Sequence, residues 1–151
     1  KRESDITFSN KKNFFEISLI HNGFKRINRK IEKHIRTIII ENKSISISDS
    51  IYGGGRIKLN SYFHFPKSFV INNKIENNPV EACVDFIYDT ENKNLNSYFK
   101  LEEYSGSSDP FLGWRFQNYG EKLLAKTLVL HGNFEIPNKF NYKLIIKSRA
   151  L

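Results

Sequence analysis

The sequence contains no methionine and only one cysteine, one tryptophan and four prolines among its 151 residues. The lone Cys83 excludes an internal disulfide, and its place in the apolar segment ACVDFIY predicts a buried, inert thiol rather than a nucleophile. No apolar run approaches the roughly 18 residues that a membrane-spanning helix needs. Glycine and proline are not in excess, and neither a low-complexity segment nor an internal repeat is visible. These absences leave an ordinary globular chain with no expected membrane partner.

The chain begins at Lys1, and nothing at its start resembles a signal peptide. We therefore expect these residues to be part of a longer or processed protein. A length of 151 residues predicts one domain that is large enough to bury a core. A hydrophobic content of 39%, with 13 Phe and 7 Tyr, excludes a disordered chain.

Acidic side chains are fewer than basic ones, 16 against 24, which gives a net charge of +8. This balance favours an anionic partner, either nucleic acid, anionic lipid or acidic polysaccharide, without choosing among them. Six of the basic groups lie within residues 25–36, KRINRKIEKHIR, where Glu32 is the only acid. The run fits either a solvated hairpin or a binding patch.

Apolar residues alternate with polar ones along much of the chain, which is typical of half-buried β-strands. The pattern is clearest in SISISDSI and RIKLNSYFHF, and strands are also predicted for KNFFEISLIH, KIEKHIRTIII, EACVDFIYD, LNSYFKLEEY, KTLVLHG and NYKLIIK. Short turn signals, GGG among them, separate these segments, and no long helical pattern occurs. Residues 1–151 are thus predicted to form one all-β domain, an antiparallel β-sandwich. Its core should include Ile45, Ile47, Leu59, Phe63, Phe86, Leu128 and Leu130.

Motifs for catalysis or metal binding are missing. The GGG at 53–55 lacks the remaining residues of a phosphate-binding loop, so we interpret it as a tight connection or a bulge. The four histidines are far apart in sequence and do not show the spacing of a zinc site. No nucleophile–base set is recognisable. We therefore predict no catalytic residue, no metal site and no cofactor.

One strand carries a candidate binding surface. In RIKLNSYFHF, Lys58, Asn60, Tyr62 and His64 share the face opposite to Phe63. A face that is polar, aromatic and basic together suits a sugar, but it would equally suit contact with a neighbouring domain.

The only tryptophan, Trp114, lies in SGSSDPFLGWRFQNYG. Either it anchors an edge of the sandwich together with Tyr119, with Gly113 and Gly120 allowing tight turns, or it offers a platform for a pyranose ring. Tyr62, His64 and Trp114 are accordingly the candidate substrate-binding residues.

The order of several segments resembles the later part of heparinase II/III-like polysaccharide lyases. That family tends to show a His-Asp-Gly-Tyr segment, a His-Arg-Arg-Thr-like strand, a buried Asp, a Phe-His-Leu-His-Pro segment and a closing Trp-x-Ser-x-x-Tyr-Gly segment. Asn and Phe replace the Asp and Tyr of the first segment, and Ile replaces an Arg of the second. The positions similar to the family are His21, Asn22, Gly23 and Phe24, then His34, Ile35, Arg36 and Thr37, then Asp49, then Phe63, His64, Phe65 and Pro66, and finally the stretch GWRFQNYG.

The resemblance implies a parent protein in which an N-terminal helical toroid joins antiparallel β-sheet layers and cleaves uronate-containing polysaccharide by β-elimination. The family's catalytic and metal-binding positions precede the matched region, so this chain would be an inactive C-terminal fragment with an acidic polysaccharide as partner. A periplasmic or secreted location would follow. The alternatives are a free-standing carbohydrate- or protein-binding module and, less favoured, a nucleic-acid-binding domain.

Overall fold

Nine β-strands and one 3₁₀ turn make up the regular structure of the part that the computed structural model describes, residues 4–67, 69–72, 82–90, 98–116 and 118–148. The 3₁₀ turn is Gly23–Arg26. No helix within those ranges is long and apolar enough to cross a membrane. The strands are β1 Ser4–Lys11, β2 Phe14–His21, β3 Ile31–Ile40, β4 Ser44–Pro66, β5 Val70–Asn72, β6 Ala82–Thr90, β7 Tyr98–Tyr104, β8 Trp114–Phe116 and β9 Lys122–Ser148.

Two long strands, β4 and β9, belong to both layers of the sandwich. The pairing order is β1-β2-β3-β4-β9-β6-β5, and β7 and β8 also pair with β9. The first layer contains β1 to β3, the first half of β4, the second half of β9, β6 and β5. The second layer contains the remaining halves of β4 and β9 with β7 and β8. All pairs are antiparallel except β5 with β6, which is parallel.

A bulge bends β4 between its two halves. Ile51 pairs with Asn138 and Gly55 pairs with Ile136, so residues 52–54 lie opposite Pro137 alone. Proline suits this place because it cannot donate to the ladder that is interrupted there. The bulge interpretation of GGG is therefore confirmed, but the prediction of separate strands on either side of it is wrong. KTLVLHG and NYKLIIK were also predicted as separate strands, but both are parts of β9.

Gly53 is needed at the bulge for two reasons. Its φ is +145°, a conformation that residues with a side chain rarely adopt. A Cβ at this position would also lie 1.9 Å from the carbonyl oxygen of Lys30. That same oxygen accepts a hydrogen bond from the amide of Gly54 at 3.1 Å. The start of β3 is thereby fastened to the bend of β4.

Aromatic contacts across the two layers form the core. The ring of Phe63 in the second layer lies 4.8 Å from that of Phe86 and 5.1 Å from that of Tyr142, both in the first layer. The Tyr142 hydroxyl also lies 2.9 Å from Oγ of Ser61. Of the predicted core, Phe86, Leu128 and Leu130 are buried, whereas Ile45, Ile47, Leu59 and Phe63 are partly buried against the same cluster. The predicted β-sandwich is confirmed.

Strand β1 and the predicted burial of Cys83 complete the comparison with the sequence. Strand β1 was not predicted, because Ile6 and Phe8 are its only apolar residues and give too short an alternation. The predicted burial of Cys83 concerns a side chain that lies outside the described residues, although its backbone belongs to β6.

Candidate functional site

The candidate surface is the outer side of the second layer. Antiparallel pairing places His131 of β9 between Asn60 of β4 and Lys100 of β7, and Val129 of β9 between Tyr62 and Glu102. Directly paired residues point to the same side of a sheet. The polar face, as we name it, consists of Lys58, Asn60, Tyr62 and His64 from β4, Lys100, Glu102 and Tyr104 from β7, and His131 from β9.

The predicted strand phase is correct for β4. Tyr62 is 49% exposed and His64 is exposed, whereas Phe65 is buried and Phe63 is half-buried against the core. The structure therefore turns both predicted residues outward.

Glu102 is the centre of the hydrogen bonds on the polar face. Its carboxylate accepts from the Tyr104 hydroxyl at 2.5 Å and lies 3.0 Å from Nε2 of His131 and 2.5 Å from the ammonium of Lys100. Lys100, followed by Tyr104, lowers the pKa of Glu102 to about 2. The hydrogen bond to Glu102 in turn raises the pKa of Tyr104. Glu102 is thus ionised and Tyr104 remains a neutral donor at physiological pH.

His131 extends this network to β4, because its Nδ1 lies 3.0 Å from the amide oxygen of Asn60. The polar face therefore offers donors and acceptors whose positions are fixed by mutual hydrogen bonds, with the exposed ring of Tyr62 beside them. Such a surface matches the hydroxyls and the apolar ring face of a sugar. Sequence reasoning missed Lys100, Glu102, Tyr104 and His131, although the alternation in β7 places its three residues on one side.

Trp114 lies at one end of the polar face. The hydroxyl of Thr127 is 3.0 Å from Nδ1 of His64 and accepts from the amide of Gly113 at 3.0 Å, which links the face to the residue before Trp114. The indole N–H donates to the carbonyl of Ser107 at 2.7 Å.

The ring of Trp114 also has neighbours of its own. The ammonium of Lys122 lies 3.6 Å from the ring centroid, and Phe111 stacks beside the ring at 6.2 Å. The Lys122 distance is well within the range of a cation–π contact. These contacts tie Trp114 to the connection between β7 and β8 and to the start of β9. Tyr119, in contrast, is fully exposed, so its predicted role as an anchor is wrong. Gly113 and Gly120 do take positive φ values, as their predicted turns require.

A second polar cluster is buried in the first layer. Asp49, only 2% exposed, accepts two hydrogen bonds from the guanidinium of Arg36, both at 2.7 Å, and a third from Nε2 of His34 at 2.8 Å. Burial alone would raise the pKa of Asp49, but the hydrogen bonds and charges of Arg36 and His34 hold it below its ordinary value. Asp49 is therefore an ionised carboxylate with three strong donors.

The two histidines continue this cluster to the 3₁₀ turn. The amide of Gly23 donates to Nδ1 of His21 at 3.2 Å, so the proton of neutral His21 is on Nε2. Nε2 lies 3.1 Å from Nδ1 of His34, which leaves Nε2 of His34 as the donor to Asp49. Burial, followed by His34 and Arg36, lowers the pKa of His21. Hydrogen bonds thus run from His21 to His34 and on to Asp49, where Arg36 also donates, and we call these four side chains the histidine relay.

Sequence spacing alone did not bring the relay together, because His21 and His34 are 13 residues apart and Asp49 is 15 further on. Within the described ranges, no group of three or more His, Cys, Asp or Glu side chains is placed to hold a metal ion. The hydrogen bond from the amide of Gly23 to His21 connects the relay to the 3₁₀ turn.

Solved structures of heparin lyases share this fold. A mutant of heparan sulfate lyase HepC from Pedobacter heparinus matches 100% of this chain with a TM-score of 0.63 and 12% identity. The HepC enzyme itself matches 99% with a TM-score of 0.60 and 12% identity, and a heparinase III matches 97% with a TM-score of 0.61 and 14% identity. The chain spans only 22% of each of these proteins. No protein-family model and no curated protein sequence matches it. The chain has a heparinase-like fold.

Proposed function

We propose that this chain is the C-terminal β-sandwich domain, residues 1–151, of a heparinase II/III-like polysaccharide lyase. The observation that carries the proposal is the likeness of fold along the whole chain to heparan sulfate lyase HepC. The parent protein would cleave an acidic, uronate-containing polysaccharide by β-elimination. Because such polymers occur outside the cytoplasm, we expect the parent to be periplasmic or secreted.

The chemistry of β-elimination supports placing catalysis in another part of the parent. The reaction needs neutralisation of the uronate carboxylate, a base at C5 and an acid at the leaving O4, all converging on one sugar. On the polar face, the Tyr104 hydroxyl is bound to Glu102, which raises the pKa of Tyr104 and leaves less of its basic phenolate form at neutral pH. We therefore assign no catalytic residue to this chain and give the polar face a role in contacting substrate through Tyr62, His64 and, at its end, Trp114.

An activity assay tests the division of labour. The chain and its full-length parent are incubated with heparin, heparan sulfate, alginate and hyaluronan while the ultraviolet absorbance of unsaturated uronate is followed. We expect flat traces from the chain and turnover by the parent. A sustained rise from the chain alone, abolished by His64→Ala or Tyr62→Phe, would overturn this proposal. Flat traces from both proteins would favour the second candidate, a carbohydrate-binding module, which the self-contained hydrogen-bond network of the polar face also fits.

Binding by the polar face is tested with a matched tyrosine. Tyr62→Ala should weaken binding to the polysaccharide that the parent cleaves, because the variant loses the exposed ring at the centre of the face. Tyr119→Ala is the control, since Tyr119 is fully exposed and lies outside the face. Equal affinities of the two variants would contradict the role of Tyr62.

The first layer offers a surface for the rest of the parent. Ile6 and Phe8 of β1, Phe15 of β2 and Ile40 of β3 share one side of the sheet and are 54%, 67%, 36% and 40% exposed. Contiguous exposed apolar surface marks an interaction site. Since the chain spans about a fifth of the solved lyases, we propose that this side packs against the N-terminal helical toroid of the same parent.

The packing of this side is tested by comparing the thermal stability of the 151-residue chain with that of its full-length parent. Phe8→Ser should leave the melting temperature of the 151-residue chain unchanged within about 1 °C and lower that of the parent by several degrees. An equal shift in both proteins would show that the parent does not cover Phe8.

A further inference from the structure

The turn between β2 and β3 concentrates positive charge. Residues 23–33 contain five cations and one carboxylate, a net charge of +4 and thus half of the +8 of the whole chain. All six charged side chains are exposed, and the cations make no ion pair with any acid in the described part of the chain. The basic turn, as we name residues 23–33, carries the cations Lys25, Arg26, Arg29, Lys30 and Lys33.

The basic turn is held in one conformation from three directions. The amide of Gly23 is bound to the histidine relay, as described above. Within the turn, the amides of Ile27 and Asn28 both donate to the carbonyl of Phe24, at 2.9 and 2.8 Å. The carbonyl of Lys30 accepts from Gly54 in the bulge of β4. Because this backbone needs no further ordering when a ligand binds, only the side chains of the cations lose conformational entropy, which favours affinity.

A cleft of about 290 Å³ opens between the basic turn and β4. Phe24 and Ile27 of the turn line it, and the side chain of Ile27 is 82% exposed. Lys58 and Asn60 of the polar face line its other side. Lys58 is the only cation among the residues that line the cleft, and the five cations of the basic turn are exposed outside it. A polymer that crosses from the polar face to the basic turn therefore meets apolar contacts in the cleft before it reaches the cations of the turn.

We propose that the basic turn and its cleft are a second binding site for the acidic polysaccharide, which takes the carboxylate or sulfate groups of sugars beyond those on the polar face. This inference rests on the function proposed above. The mainly apolar cleft lies between the cationic turn and a face rich in sugar-compatible donors and acceptors, which favours a polysaccharide over a nucleic acid. The Phe24 ring packs on the rings of His21 and His34, at 4.9 and 5.5 Å, instead of standing free to stack on bases.

Two double variants of equal charge test the site. Lys25→Gln with Arg29→Gln removes two cations from the basic turn. Lys43→Gln with Lys143→Gln removes two exposed cations elsewhere, Lys43 being in the hairpin at the opposite end of β3. Each double variant of the 151-residue chain is titrated with heparin and hyaluronan oligosaccharides and with duplex DNA over a range of salt concentrations. Because all four side chains are exposed, the unfolding midpoints should be unchanged.

We expect the variant of the basic turn to bind heparin roughly tenfold more weakly at low salt. The slope of the logarithm of its binding constant against the logarithm of salt concentration should correspond to the release of about two fewer counterions. The control should change less than about twofold. A loss for heparin alone indicates that the site takes sulfate groups, and a loss for both sugars indicates that it takes carboxylates; both results support the site. Equal losses in the two double variants, or an equal loss for DNA, would overturn it. Turnover by the parent is independent of this comparison, so failure of the site and failure of the lyase proposal are distinguishable.

Discussion

Replacement of Asp49 by Asn is the sharpest test of the histidine relay. The variant keeps the size of the side chain but removes its charge, and turns an NH₂ group toward donors on Arg36 or His34. Leaving one partner of a buried ion pair without its counter-charge costs about 3–5 kcal/mol. Because the side chain of Arg36 is 39% exposed, water solvates part of the freed guanidinium, so we expect a loss near the lower end, about 3 kcal/mol. That is a large share of the 5–15 kcal/mol typical of a domain.

Urea unfolding of the 151-residue chain measures this loss. With a slope of roughly 2 kcal/mol/M, 3 kcal/mol lowers the midpoint by about 1.5 M while the slope stays the same. Ser46→Ala on the outer side of the same strand is the control and should change the free energy of unfolding by less than about 0.5 kcal/mol. A midpoint for Asp49→Asn within about 0.3 M of the unmodified chain would refute the view that the relay is a desolvated, stabilising network.

Three further outcomes follow from the structure. Gly53→Ala should cost about 2 kcal/mol or more, because its Cβ would collide with the carbonyl of Lys30 and φ is positive. Gly54→Ala should not destabilise, since nothing lies within 4 Å of the added methyl. Urea midpoints compare the two variants, and equal midpoints would contradict the bulge geometry. Leu128→Ala should cost about 2–5 kcal/mol in the same assay, because Leu128 is fully buried, and a loss below about 1 kcal/mol would place it outside the core. The free energy of unfolding should fall as the pH drops below about 6.5, because the pKa of His21 is lowered in the folded chain and the unfolded chain therefore takes up a proton first. The fall should end once the pH is below the pKa of His21 in the folded chain. His21→Gln should flatten this step, and stability that rises on acidification from pH 7 to 5.5 would oppose the assignment.

The sequence by itself determined the class of fold and the direction of individual side chains. Strand alternation is a local property with a period of two residues, so it correctly turned Tyr62 and His64 outward and Phe63 and Phe65 inward without knowledge of any neighbouring strand. It also placed Phe86, Leu128 and Leu130 in the core. Local pattern sufficed wherever the only question was which side of a strand a residue occupies.

Tertiary structure alone decided which side chains meet, because strand register depends on pairing between segments that are distant in sequence. Pairing of β2, β3 and β4 assembled His21, His34, Arg36 and Asp49 into the relay. Pairing of β7 and β9 likewise brought His131 to Glu102, 29 residues apart.

The bend of β4 also shows which features the local sequence determines and which depend on tertiary structure. The local sequence GGG at 53–55 is compatible with a turn between two strands and with a bulge inside one strand. What distinguishes them is Pro137, more than 80 residues away, which lies opposite the bulge in β9, and the carbonyl of Lys30, which occupies the space that a side chain on Gly53 would need. A backbone that is free to bend in several ways takes its direction from the strands that pack and pair against it.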